Sequence, residues 1–169
     1  MDVYSIDKLM AQARKLAAEY RRATGQPLAL SAEIAKHDAC RLLDLEPEEE
    51  GAPGGYDAVG RSGAWRDKRI QVKGRAIFDE KKSGHRIGQL KLNQEWDSVM
   101  LVLMDEEFEP FEIYEAERAD LEEAAEEAKN SSRANRGALS VARFKVLGRL
   151  VWSREDGVIE DEIWEHPGA

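Results

Sequence analysis

The chain is short of several things, and each shortage excludes something. It has one cysteine, Cys40, in 169 residues. An internal disulfide framework is therefore excluded, and the reducing cytoplasm is the expected compartment. No run of about 18 apolar residues occurs, so no membrane span is expected. The N-terminal stretch MDVYSIDKLMAQARK lacks a basic region leading into an apolar one and does not read as a secretory signal. Three scattered histidines, His37, His85 and His166, beside one cysteine offer no legible zinc site. There is no Walker-type phosphate loop, no dinucleotide glycine motif and no Gly-X-Ser-X-Gly elbow.

Charge is plentiful instead. Charged residues make up 35% of the chain and hydrophobic ones 42%, enough for a core under a heavily ionised surface. The net charge of -9 argues against a nucleic-acid binder, but its distribution is uneven. Residues 61–91 carry 10 basic and 3 acidic groups, and residues 129–149 carry 6 basic and none acidic. Between them, residues 92–128 carry 14 acidic groups against one basic. Two basic blocks can steer a phosphate ligand locally even in an acidic chain, or they can be solvated faces.

Ser5 reads as the cap of a first helix to about Thr24, with Leu9, Met10, Ala13, Leu16, Ala17 and Tyr20 on one apolar face. Gly25-Gln26-Pro27 ends it. Ser31 reads as the cap of a second helix, residues 32–43, and Glu46–Gly55 is an acidic loop. Tyr56–Val59 and Arg69–Phe78 read as strands. Ile87–Leu92 is either a short strand or a loose segment. Ser98–Met104 (SVMLVLM) suits a central strand covered on both faces, with Phe111–Glu115 beside it. Asp120–Lys129 has high helix propensity, and a last helix is expected over 138–150. Residues 153–169 read as an acidic tail after a single domain of residues 1–152. Helices at the ends and strands in the middle predict an α/β chain of the α+β type. Its expected core is a mixed sheet of four to five strands flanked by helices.

Three segments carry candidate chemistry. Glu33 lies in the helix before the sheet, Asp57 in Gly55-Tyr56-Asp57-Ala58-Val59, and Gln71-Val72-Lys73 in the next strand. Residues i and i+2 of a strand share a face, so Gln71, Lys73 and Arg75 point together, and a hairpin brings Asp57 beside Gln71. This order resembles the PD-(D/E)XK (restriction-endonuclease-like) nuclease superfamily, over residues 31–116. A Gly-Tyr-Asp … Ile-Gln-Val-Lys-Gly-Arg phrasing also resembles a group of small bacterial domains that carries no established activity. Trp96-Asp97, Ile113-Tyr114 and Leu139-Ser140 to Trp152 belong to that second likeness.

The nuclease resemblance implies Mg²⁺ or Mn²⁺, with Asp57, Gln71 and Glu33 as its ligands and Lys73 as the catalytic cation beside them. It also implies DNA as partner, with Arg75 contacting phosphate, and Arg69, Arg143 and Lys145 are further candidate phosphate contacts. A homodimer is a further implication. The chain departs from the commonest pattern at Tyr56, where proline often stands, and at Gln71, where an acid is more usual. An uncharged amide lowers metal affinity. Two other functions stay open: a nuclease-fold module that binds nucleic acid or protein without catalysis, and a protein that binds a partner through its acidic segment 105–127.

Overall fold

The computed structural model describes residues 3–49, 54–78, 85–88, 90–129 and 139–160. Among these, four α-helices and seven strands form one mixed sheet. The elements are α1 (Val3–Thr24), α2 (Ser31–Leu43), β1 (Leu45–Pro47), β2 (Ala58–Gly60), β3 (Arg69–Ala76), β4 (Ser98–Met104) and β5 (Pro110–Glu117). After them come α3 (Arg118–Lys129), α4 (Val141–Leu147), β6 (Arg149–Ser153) and β7 (Gly157–Val158). The strands lie side by side in chain order. Only β3 and β4 run parallel; every other neighbouring pair is antiparallel. No helix among the described residues is long and apolar enough to cross a membrane.

The general α+β class holds, but the sheet has seven strands where four to five were expected. The additions are short. β1 forms because Asp44 takes a left-handed conformation (φ 56°) at the end of α2 and turns the chain straight into Leu45. The expected helix over 138–150 is cut to one of 7 residues. Gly148 ends it against the Glu115 carbonyl oxygen, where an added Cβ would come within 2.4 Å. The chain then pairs with β5 as β6 and turns back as β7. The sheet thus runs past the expected boundary at residue 152, and residues 161–169 lie outside the description. Ile87–Leu92 forms no strand among its described residues; next to it, Arg86 makes an isolated bridge to Ser140. Ser31 is the first residue of α2 rather than its cap, which is Leu30 without a side-chain hydrogen bond. Ser140 does cap α4, accepting from the Arg143 N–H at 3.1 Å.

β4 is buried along all its 7 residues, as a strand covered on both faces must be. Alternation along β3 sorts the two layers. Ile70, Val72 and Ala76 pack with α1, α2, Met100, Val102 and Met104 on one face. Gly74 lies on this face too, and an added Cβ there would come within 2.4 Å of the Ala35 Cβ, so glycine lets α2 lie close to the strand. The opposite face of β4 (Val99, Leu101, Leu103) is covered by α3, α4 and the segment containing Ile87 and Trp96. Gln71, Lys73 and Arg75 belong to that second face, at its β2 side.

Candidate functional site

The pairing of β2 with β3 sets Ala58 opposite Ile70 and leaves Asp57 immediately ahead of β2. The backbone N–H of Asp57 donates to the Ile70 carbonyl at 2.8 Å. Beyond this point the backbone leaves the ladder, and the Asp57 side chain takes over. Its Oδ2 accepts the Val72 N–H at 2.7 Å. One carboxylate oxygen thus holds a buried strand N–H that would otherwise lose its partner.

Gln71 is 5% exposed. Its Nε2 donates to the Gly55 carbonyl at 3.1 Å. Its Oε1 is buried and has no hydrogen-bond partner. Such an orphan acceptor is uncommon in a folded chain and calls for a donor or a cation. Gly55 reaches over Gln71 with φ +70°, and an added Cβ there would come within 2.0 Å of the Gln94 side chain. Glu95 N–H donates to the Gly54 carbonyl at 2.7 Å. The loop ahead of Asp57 is therefore stitched both to β3 and to the loop ahead of β4.

Lys73 is half-buried and has no hydrogen-bond or ion-pair partner among the described residues. Burial lowers its pKa from the ordinary 10.5; the Asp57 charge opposes that shift and the Lys91 charge adds to it. Lys91 is exposed and comes from the loop that crosses this face. Gly88 flanks the amine, an added Cβ standing 3.7 Å from Nζ. Lys91 was not singled out from the sequence; its place at the end of the basic block 61–91 was the only signal.

The structure brings Asp57, Gln71 and Lys73 together and treats the other candidates differently. Glu33 is exposed on α2 and has no hydrogen-bond or ion-pair partner among the described residues. Its helix packs on the sheet face opposite Gln71 and Lys73. That helix approaches Asp57 by another stretch: Lys36 donates to the Glu48 carbonyl at 3.3 Å, and the Asp57 charge reaches Cys40. Arg75 is exposed and has no hydrogen-bond or ion-pair partner among the described residues. Arg69 is committed to Asp97, with Nε and Nη2 each 3.2 Å from its carboxylate, and Asp97 Oδ2 also accepts the Arg69 backbone N–H at 2.8 Å. Arg143 pairs with Glu127 at 3.2 Å, and Lys145 with Glu112 at 3.8 Å, on α4 against β5 and β6 rather than beside β3. Arg133, Arg136 and Trp164 lie outside the described residues. Trp65 is no open stacking platform: its Nε1 donates to the buried Glu115 carboxylate at 3.1 Å.

The donor set bears on a metal. Among the described residues no group of three or more His, Cys, Asp or Glu side chains converges. Asp57 offers one carboxylate and Gln71 one orphan amide oxygen, both hard oxygen donors. Mg²⁺ uses one or two carboxylates and completes its shell with water and phosphate, so the set fits a weakly held ion of that kind.

A comparison with protein-family models finds no match, and a comparison with curated proteins finds none.

Proposed function

We propose that the chain is a metal-dependent phosphodiesterase acting on DNA, with a restriction-endonuclease-like core. The observation that carries this reading is the company of the orphan Gln71 Oε1: a half-buried Lys73, unpaired among the described residues, and the Asp57 carboxylate. A buried acceptor without a donor and a half-buried amine without a hydrogen-bonded partner are each costly for stability alone. Together with a carboxylate they are the groups that bind a hard cation and a phosphate.

Asp57 and Gln71 would hold Mg²⁺ or Mn²⁺ through their oxygens. When bound, the metal polarises the phosphoryl oxygen and lowers the pKa of a water. Lys73 orients that water and offsets the charge that builds on the phosphate oxygens. A P–O bond would form from the water, which gives up a proton to solvent, as the bridging P–O bond breaks and the leaving oxygen takes up a proton from solvent. Lys91 and Arg75 supply positive charge along the approach of the strand.

The lone carboxylate favours a second reading: a module that binds nucleic acid without hydrolysing it. Cleavage of single- and double-stranded DNA and RNA with Mg²⁺ or Mn²⁺, by wild type beside Asp57→Asn and Lys73→Ala, separates the two. Metal-dependent cutting abolished by both substitutions supports the phosphodiesterase. Binding without cutting, weakened by Lys73→Ala, supports the module.

A further inference from the structure

The apolar face of α1 is wider than the body of the protein uses. Ala17 and Ala18 are buried and Met10 packs against the core. Arg14 ties the same side down, donating to both Asp38 oxygens at 2.7 Å and to the Phe108 carbonyl at 2.9 Å. Four large apolar residues of the helix remain in solvent: Ile6 (42% exposed), Leu9 (50%), Leu16 (55%) and Tyr20 (41%). With Ala13 and the exposed Ala23 they fall at positions 6, 9, 13, 16, 20 and 23, an unbroken 3-4-3-4 spacing. A stripe of that spacing is the seam of a helix pair, not of a helix lying on a sheet. From Ile6 to Ala23 it runs about 26 Å.

We infer that α1 is a dimerisation helix whose seam is covered by α1 of a second copy of this chain, running antiparallel. The side-chain sizes point to a self-pairing in that direction. An antiparallel pair in which residue numbers of opposed positions sum to 29 matches the whole seam. Ile6 then meets Ala23, Leu9 meets Tyr20, and Ala13 meets Leu16, so each alanine faces a large residue. A parallel pair instead sets Ala13 on Ala13 and Ala23 on Ala23, leaving voids in the seam. The antiparallel register places Glu19 level with the stretch between Lys8 and Gln12 of the other copy. Lys8, Lys15 and Glu19 have no ion-pair partner among the described residues, so they are available for this. The seam and its flank lie on the side of α1 turned away from Asp38, so pairing leaves the α1–α2 contact intact.

Sedimentation of the full chain over a range of concentrations tests the interface, with Leu9→Glu/Leu16→Glu beside wild type and circular dichroism as the fold check. A species of twice the 19.0 kDa chain mass that the double substitution returns to monomer, with the helical signal kept, is the expected result. A wild type that stays monomeric throughout, or a dimer that survives the double substitution, overturns the proposal. Mixing Leu9→Cys chains with Tyr20→Cys chains under mild oxidation reads the direction independently of whether the glutamate variant folds. The mixed disulfide is expected to outweigh either self-linked product severalfold, and Leu9→Cys linking chiefly to itself overturns the antiparallel arrangement. Cys40 competes little, because burial pushes its thiol up to about 11.

Discussion

Asp57 accepts the backbone N–H of Val72 across the β2–β3 pair, at 2.7 Å, where the strand ladder ends. The same carboxylate that would hold a metal is thus a structural cap for β3. Its two roles are separable by chemistry. Asparagine keeps an oxygen for the Val72 N–H but loses the charge, whereas alanine loses both. Asp57→Ala is expected to lower stability by about 1–3 kcal/mol, as a buried N–H loses its partner. Asp57→Asn should lose much less in urea unfolding, yet lose all metal-dependent cleavage. Equal loss of stability in both would show that the charge, not the acceptor, holds β3.

Gln71 is the second separable position. Gln71→Glu adds a charge beside the Gly55 carbonyl, to which the amide now donates at 3.1 Å. Without metal the variant should be less stable than wild type by roughly 1–3 kcal/mol. With Mg²⁺ it should recover, because a second carboxylate strengthens the site. The melting temperature with and without Mg²⁺ reads this directly. A melting temperature unmoved by Mg²⁺ in both proteins would remove Gln71 from any metal site.

Lys73 gives a prediction in pH. Burial makes its ammonium give up a proton more readily in the folded chain than in the unfolded one, despite the Asp57 charge. The unfolded chain then binds more protons, so Lys73 costs stability at neutral pH, and this cost fades as pH rises towards the ordinary 10.5. Lys73→Met should therefore match or exceed wild type in stability at pH 7, with the gap closing as pH rises. Its cleavage rate should fall by about 10²–10³-fold, the loss typical of removing one transition-state charge partner. Denaturant midpoints across pH, set beside cleavage rates, check both halves.

Glu115 predicts a stability effect without a functional one. Its carboxylate is 3% exposed and gathers Trp65 Nε1, Lys68 Nζ at 3.0 Å, Ser98 Oγ at 2.8 Å and Arg149 at 3.5 Å. It joins the β2–β3 turn to β4, β5 and β6. Burial by itself lowers the Lys68 pKa, but its hydrogen bond to Glu117 and the Glu115 charge outweigh it and raise the value. Glu115→Ala leaves that amine without its buried partner and should cost about 3–5 kcal/mol. Lys68→Met combined with Glu115→Ala should cost less than the two singles added together. Additive losses in unfolding would show that the pair is not coupled.

Asp97 governs the acid limb. The side-chain hydrogen bonds of Arg69, with its backbone N–H and its charge, outweigh burial and hold the Asp97 carboxyl below the ordinary 3.8. The stability it contributes is present above that value and is lost as pH falls through the depressed one. Asp97→Asn should flatten this part of the acid unfolding curve. A curve identical to that of wild type would show that the Arg69 contact adds nothing.

Much of this was legible in the chain because it depends on neighbours in sequence. SVMLVLM could be little else than a central strand, and its bounds at Ser98 and Met104 are those observed. The alternation in β3 put Gln71, Lys73 and Arg75 on one face, and the pairing of β2 with β3 brought Asp57 to β3, where its carboxylate meets the Val72 N–H. These follow from strand period and hairpin closure, which are local. The α1 pattern was legible as apolar, but not how it divides. Which of Leu9, Leu16, Ala17 and Tyr20 is covered depends on where α2 and the Phe108 turn meet the helix.

The remainder needed the tertiary structure, because it rests on contacts between distant segments. Helix propensity runs on through Gly148 to Leu150, yet the open edge of β5 and the close approach to Glu115 draw those residues into β6. Arg69, Arg143 and Lys145 look alike as free cations in a sequence, but each meets an acid brought in from elsewhere. Glu33 sits in the expected helix, which packs on the other face of the sheet. The chain alone determined which residue types could make a site and which lay on one strand face. Only the packing of helices and loops around the sheet decided which charges were neutralised and which amide oxygen and amine were left without a partner among the described residues. Electrostatic pairing acts through space, over a few ångströms, between residues as far apart in sequence as Arg14 and Glu109.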